Sequence, residues 1–250
     1  MDGTLSNKTA IVTGGGSGIG RAIAQRLAKE GANVVICGRT ESSLKETAEV
    51  DAKICYVVGD MTKTETIEKM MTMVKNKFGR LDILVNNAGW CPVQPITEIT
   101  IDDYDKAFSL DVRALVEMTI NALPMIRESH GSIINLSSVG ATHCAPNLSL
   151  YVGAKAAVEN FTRTWALELA KDGVRVNAIA PGAIRTNIWN ATDLSPEDAK
   201  KHEDGIAASI PFGRFGAPED IANMAAFLLS DEASYISGGI FSVDGAMGAM

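Results

Sequence analysis

Short apolar runs recur along the chain, separated by longer segments in which apolar side chains return every three or four positions. Seven runs read as strands: Thr9–Thr13, Asn33–Cys37, Ile54–Val58, Ile83–Asn86, Ser132–Leu136, Arg175–Ile179 and Ile240–Val243. Each is rich in β-branched residues or uniformly apolar, as expected of a strand covered on both faces. Between them the period is helical. Ile19–Glu30 places Ile23, Leu27 and Ala28 on one face, with Gly31 positioned for a left-handed stop. Thr64–Phe78 repeats the design with Ile67, Met70, Met71 and Val74, ended by Gly79, and its methionines read as core packing. A third helix is expected from about Tyr104 to Ile126 and a fourth from about Leu150 to Ala170. This alternation predicts an α/β fold, a doubly wound parallel sheet of about seven strands. No repeat or linker interrupts it, so residues 1–250 read as one domain. Only 187–209 breaks the pattern. It carries the helix-start signal Ser195-Pro196-Glu197-Asp198 in a polar stretch and is expected to form a small insertion over a ligand crevice, with a solvated helix pair as the alternative.

Composition narrows the function classes. With 23 Lys and Arg against 30 Asp and Glu, the net charge of −7 argues against nucleic acid as a partner, because phosphate neutralisation needs a basic excess. The polar first ten residues and the glycine-cut apolar run after them give no signal or membrane-spanning segment, so a cytoplasmic protein is expected, with no membrane partner. Cys37, Cys55, Cys91 and Cys144 are far apart, and His130, His143 and His202 are not at metal-ligand spacing. Reduced thiols are expected, with neither a disulfide framework nor a metal site.

The first strand runs into Thr13-Gly14-Gly15-Gly16-Ser17-Gly18-Ile19-Gly20, which opens a helix. Glycines there permit a tight turn, let the backbone approach a pyrophosphate, and aim helix N–H groups at its charge. The spacing of Gly14, Gly18 and Gly20, with no Lys-Ser or Lys-Thr after it, is not that of a mononucleotide loop. The fold so implied is Rossmann-like. The adenosine ribose of a dinucleotide is read at the end of the second strand, here Cys37-Gly38-Arg39. No carboxylate stands there for a free 2′-hydroxyl, and the Arg39 fork suits a 2′-phosphate, which favours NADP(H) over NAD(H). The alternative has Arg39 solvated and Glu41 serving the ribose of NAD.

Tyr151 and Lys155 stand four apart on the fourth helix and share a face. A free phenol, with a pKa near ~10, is a poor base at neutral pH, and an ammonium beside it favours the phenolate. Such a pair can exchange a proton with an alcohol or carbonyl oxygen, and Ser138, just past the fifth strand, can hydrogen-bond the same oxygen.

Thr-Gly-x-x-x-Gly-x-Gly at 13–20, Asn86-Asn87-Ala88-Gly89, Ser138, Tyr151, Lys155 and Pro181-Gly182 occur in the order found in the short-chain dehydrogenase/reductase family, which the chain resembles over essentially its whole length. The resemblance implies hydride transfer between a nicotinamide and a carbonyl or secondary alcohol. It implies Tyr151 as acid/base, Lys155 as the group that lowers its pKa and holds the nicotinamide ribose, and Ser138 as the substrate-orienting hydroxyl. For the cofactor it implies Gly14, Ser17, Gly18, Ile19 and Gly20 at the pyrophosphate turn, Asp60 and Met61 at the adenine, and Asn87, Ala88 and Gly89 under the cofactor. Pro181, Gly182, Ile184 and Thr186 then fix the carboxamide, and Val243-Asp244-Gly245 matches the family's last strand end. A homotetramer is the implied assembly.

One position departs from the family. Its usual asparagine, which holds a relay water to the lysine, is Asp111 here. A carboxylate donates no hydrogen bond, and its charge holds the ammonium of Lys155 more firmly. Asp111 is expected to keep the relay role; the alternatives are a bypassed relay or impaired turnover. The substrate-facing positions implied are Trp90, Cys91, Val93, His143, Asn147, Ile188 and Trp189, a wide apolar pocket suited to a bulky alcohol or ketone such as a hydroxysteroid. A 3-oxoacyl thioester reductase and a non-catalytic dinucleotide-binding protein are the competing readings.

Overall fold

The computed structural model describes residues 4–186 and 205–249. All seven expected strands form: β1 (Thr9–Thr13), β2 (Asn33–Gly38), β3 (Ile54–Val58), β4 (Ile83–Asn86), β5 (Ser132–Leu136), β6 (Arg175–Pro181) and β7 (Ile240–Val243). They make one sheet in the order β3-β2-β1-β4-β5-β6-β7, and every neighbouring pair is parallel. The chain winds outward from β1 in one direction and from β4 in the other. Their junction leaves a crevice beyond the carboxyl ends of the strands, the place where such sheets bind ligands.

The strands alternate their side chains between two cores. On one face Ala10, Val12, Val34, Ile36, Ile83 and Val85 pack under α1 (Gly18–Lys29), α2 (Glu41–Ala48) and the last helix, α7 (Pro218–Leu229). On the other, Ile11, Val35, Cys37, Leu84 and Ile133 pack under α3 (Thr64–Phe78), α5 (Ala114–Glu128) and α6 (Ser149–Leu169). Met70 is fully buried there and Met71 packs against the same cluster, so both serve the core. Gly31 and Gly79 have φ of 100° and 70° at the ends of α1 and α3, the left-handed stops expected of them.

Two features differ from the hydrophobic pattern. The expected helix from Tyr104 to Ile126 is three pieces: α4 (Ile101–Phe108), a π-helical turn at Ser109–Arg113, and α5. A π turn inserts a residue and rotates the rest of the helix about its axis, and such turns collect at functional sites; Asp111 lies in this one. Helices α2 and α7 lie outside the four expected ones. Helix α2 buries only Leu44 and Thr47, too few positions to show a period. Helix α7 does carry start signals, Pro218 in its first turn and the Asp220 carboxylate accepting from the Ala217 N–H at 2.9 Å. The helix-start signal at 195–198 lies outside the described residues, as do Ile188 and Trp189.

Candidate active site

The glycine turn is locked to the loop after β4 by side chains on both sides. Thr13 Oγ1 accepts the backbone N–H groups of Asn87 and Ala88 at 2.9 and 3.0 Å. Asn87 in turn donates its amide to the carbonyl of Thr13 at 2.8 Å and to that of Gly14 at 3.3 Å. A Cβ on Gly20 would stand 2.3 Å from the Gly14 carbonyl oxygen, and Gly14 itself has φ of 67°, so both positions require glycine. Arg21 reaches back from α1 to the carbonyl of Gly16 at 2.6 Å and on to Ser43 and Glu46 of α2. The side chain of Ser17 does not cap α1, and its first turn holds no acidic residue. Its first N–H groups therefore face the crevice as an anion site.

Those elements border a cleft of about 810 Å³. Gly14, Ser17, Gly18, Ile19, Gly20, Arg39, Asp60, Met61, Asn87, Ala88, Gly89 and Thr186, twelve positions expected to hold a dinucleotide, all line it. Thr186 arches over Gly18, whose Cβ would lie 3.1 Å from its methyl. The glycine-rich lining and the open amides fit a dinucleotide. Pro181 and Gly182 sit at the end of β6 against Asp244, and Ile184 is buried in a bridge to Gly216, behind the lining.

Just past β2, Arg39 is exposed on the cleft and makes no hydrogen bond or contact ion pair among the described residues. Glu41 is outside the lining and receives the Tyr56 hydroxyl at 3.4 Å. Asp60 accepts both the N–H and the hydroxyl of Thr62 at 2.9 Å. The Thr62 N–H, foremost, with its hydroxyl and the nearby charges of Arg39 and Lys63, holds the Asp60 carboxyl below its ordinary range.

The opposite wall was not legible in the motifs. Lys106, Ser109, Leu110 and Arg113 line it from α4 and the π turn, and Lys106 sits 4.1 Å over the ring of Trp90. Their helical spacing was a signal, but a charged face reads equally as solvated.

Beyond β5 the chain turns at Ser138, whose Oγ accepts the Gly140 N–H at 3.1 Å and so keeps its own hydrogen to donate. That turn packs on the start of α6: a Cβ on Gly140 would lie 3.1 Å from Val152 and 3.3 Å from the Ser138 hydroxyl. Tyr151 is half-buried beside Val152. One helical turn on, Lys155 is buried, with its ammonium 5.6 Å from the Tyr151 ring centre and donating to the carbonyl of Leu136 at 3.0 Å. Glu159, a further turn along, accepts the Ser137 hydroxyl at 3.0 Å. Helix α6 thus holds Leu136 and Ser137, the two residues that lead into Ser138.

Asp111 is 1 % exposed, with Oδ2 3.3 Å from the Lys155 ammonium and Oδ1 accepting the Trp90 N–H at 2.7 Å. Burial pushes the Lys155 ammonium down, and the charges of Asp111 and Tyr151 carry it back above the ordinary lysine value. Burial likewise lifts Asp111, against the pull of Lys155 and Trp90. The Cys91 thiol beside this pair is pushed up to about 11, chiefly by burial and further by the Asp111 charge. Of the other positions expected to face substrate, Val93 is exposed, His143 bonds the Thr142 hydroxyl at 2.9 Å, and the carbonyl of Asn147 accepts the Gln94 N–H at 2.7 Å. Among the described residues no cluster of His, Cys, Asp and Glu could hold a metal, and no helix is long and apolar enough to cross a membrane.

A family model described as enoyl-(acyl carrier protein) reductase matches residues 14–247. The 3-oxoacyl-[acyl-carrier-protein] reductase FabG of Thermotoga maritima is 36 % identical over 248 residues, 97 % of this chain and 98 % of that protein. The hydroxynaphthalene reductase arp2 of Aspergillus fumigatus is 37 % identical over 250 residues, 95 % of this chain and 91 % of that one. A solved short-chain dehydrogenase/reductase of Caenorhabditis elegans, crystallised with cofactor, superposes with a TM-score of 0.92 at 36 % identity, covering 99 % of this chain and 97 % of that chain. Fold, ordered motifs and relatives agree: the chain belongs to the short-chain dehydrogenase/reductase family, oxidoreductases that act on alcohols and ketones with a nicotinamide dinucleotide.

Proposed function

We propose that the protein is an NADP-dependent reductase of a bulky ring ketone, with Ser138, Tyr151, Lys155 and Asp111 as its catalytic group. The observation that carries this reading is the grouping at the start of α6: a Ser138 hydroxyl hydrogen left free to donate, a half-buried Tyr151, and a buried ammonium one turn behind it. A bound dihydronicotinamide supplies the hydride. Tyr151 gives its proton to the carbonyl oxygen while Ser138 hydrogen-bonds the same atom, and the Lys155 charge stabilises the phenolate left behind. Asp111 completes the group from the π turn, with its carboxylate 3.3 Å from the Lys155 ammonium.

NADP is supported by the placement of Arg39 on the cleft, with no hydrogen bond or contact ion pair among the described residues, and of Glu41 off it. A guanidinium so placed can take a 2′-phosphate bidentately. The ring ketone is supported by Trp90 at the cleft and by the likeness to a hydroxynaphthalene reductase. A second reading, reduction of a 3-oxoacyl thioester, is favoured by the FabG likeness at 36 % identity.

The test is oxidation of NADPH and NADH over a panel of ring ketones, quinones and 3-oxoacyl thioesters. NADPH should be preferred, with ring ketones the fastest class. Tyr151→Phe should keep dinucleotide binding and lose turnover by about two to four orders of magnitude. Equal turnover in variant and wild type would remove Tyr151 as the proton donor, and no turnover in wild type over the whole panel would leave only a dinucleotide-binding protein.

A further inference from the structure

The buried Lys155 does not present an unopposed charge to the cleft floor. Its ammonium and the Asp111 carboxylate are 5 % and 1 % exposed and 3.3 Å apart, so toward the floor the carboxylate offsets the ammonium where water cannot screen either. The pair lies against the cleft floor: a Cβ on Gly89 would stand 3.1 Å from Asp111 Oδ2 and 3.3 Å from Lys155 Nζ. Among the described residues Lys155 is the charged group nearest the buried Asp111 Oδ2, so the charge of that oxygen acts on Lys155 and on whatever lies over that floor. The other ionisable neighbours are Tyr151 on the same helix, and Cys91, which stays a neutral thiol because burial holds it at about 11. Lys106 stands further along the wall, over Trp90.

An oxidised nicotinamide ring carries one more positive charge than a reduced ring, and the rest of the cofactor is the same. The ratio of affinities for the two forms therefore reads the field at the ring and little else. An uncharged residue at position 111 would leave one buried positive charge beside the floor, which repels the oxidised ring.

We propose that Asp111 neutralises Lys155 so that the site accepts the oxidised, cationic nicotinamide about as well as the reduced form. Tighter holding of the oxidised form draws the bound equilibrium toward hydride donation, which favours ketone reduction. This rests on the dinucleotide chemistry of the proposed function.

The test is equilibrium titration of the full chain, without substrate, with NADP+ by calorimetry and with NADPH by fluorescence. Wild type should bind the two within about tenfold of each other. Asp111→Asn and Asp111→Ser should both move the ratio toward NADPH by on the order of tenfold, equally despite their different shapes. A wild type that strongly prefers NADPH, a ratio unchanged in the variants, or a shift in the serine variant alone overturns the inference while dinucleotide binding stands. The wild-type ratio decides even if a variant fails to fold. If neither form binds to wild type, the functional reading falls and the inference with it.

Discussion

Asn87 donates its side-chain amide to the main-chain oxygen of Thr13 at 2.8 Å, and so ties the strand end that begins the glycine turn to the loop after β4. These segments flank the point where the sheet reverses its winding, and nothing covalent joins them there. Replacing Asn87 by Ala removes the donor and leaves the Thr13 and Gly14 carbonyls short of a partner, at a cost of about 1–3 kcal/mol. Asn87→Asp should be no better, since a carboxylate donates nothing and adds repulsion toward two carbonyls. Both should lower the denaturation midpoint and weaken dinucleotide binding by about tenfold. Fluorescence titration with NADPH checks this, and unchanged binding in both variants would mean that the turn holds its shape without the tie.

Much of this architecture could be read from the chain alone. Strands β1, β2, β4, β5 and β6 were legible because they are buried on both faces, so their apolar runs are continuous, and the partly exposed edge strands β3 and β7 were legible from their β-branched residues. The glycine turn was legible because close backbone approaches demand glycine whatever surrounds them; Gly20 and Gly14 nearly touch. The break of the long helix into α4, a π turn and α5 was not, because its cause is tertiary: Asp111 turns inward to meet Lys155 from α6 and the Trp90 N–H from the loop after β4. Which of Arg39 and Glu41 lines the cleft was also undecidable locally. Helix α2 starts at Glu41, and the Tyr56 hydroxyl from β3 engages that carboxylate away from the cleft. That partner comes from another strand, which the local sequence does not show.

Cys37 is fully buried in β2, and its thiol is pushed from an ordinary 9.0 to about 12, by burial first and the Asp60 charge second. In the unfolded chain the thiol ionises earlier. The neutral thiol's contribution to stability is therefore complete below pH 9 and is lost as pH climbs from there toward 12. The loss approaches about 1.4 kcal/mol per pH unit for a single fully shifted group. Urea unfolding at several pH values above 9 should show this decline, and Cys37→Ala should flatten it even though the smaller side chain lowers stability at neutral pH. Parallel declines in the two proteins would assign the alkaline sensitivity elsewhere.

Gly89 is a different case from the glycines of the turn, because its φ is not positive and its backbone would suit any residue. What excludes a side chain is the buried pair beneath it. A methyl group there would press on Asp111 Oδ2 at 3.1 Å and on Lys155 Nζ at 3.3 Å, and neither can retreat freely. Asp111 is pinned by the Trp90 N–H at 2.7 Å and Lys155 by the Leu136 carbonyl at 3.0 Å. Gly89→Ala should therefore cost about 1–3 kcal/mol by overpacking and lower turnover with it. The same substitution in an Asp111→Ser background should cost much less, because the shorter side chain withdraws the atom that is crowded. Denaturation curves of the two single variants and the double variant form a cycle, and a clear departure from additivity is the expected result. Strict additivity would place the cost of the methyl group somewhere other than the Asp111–Lys155 pair.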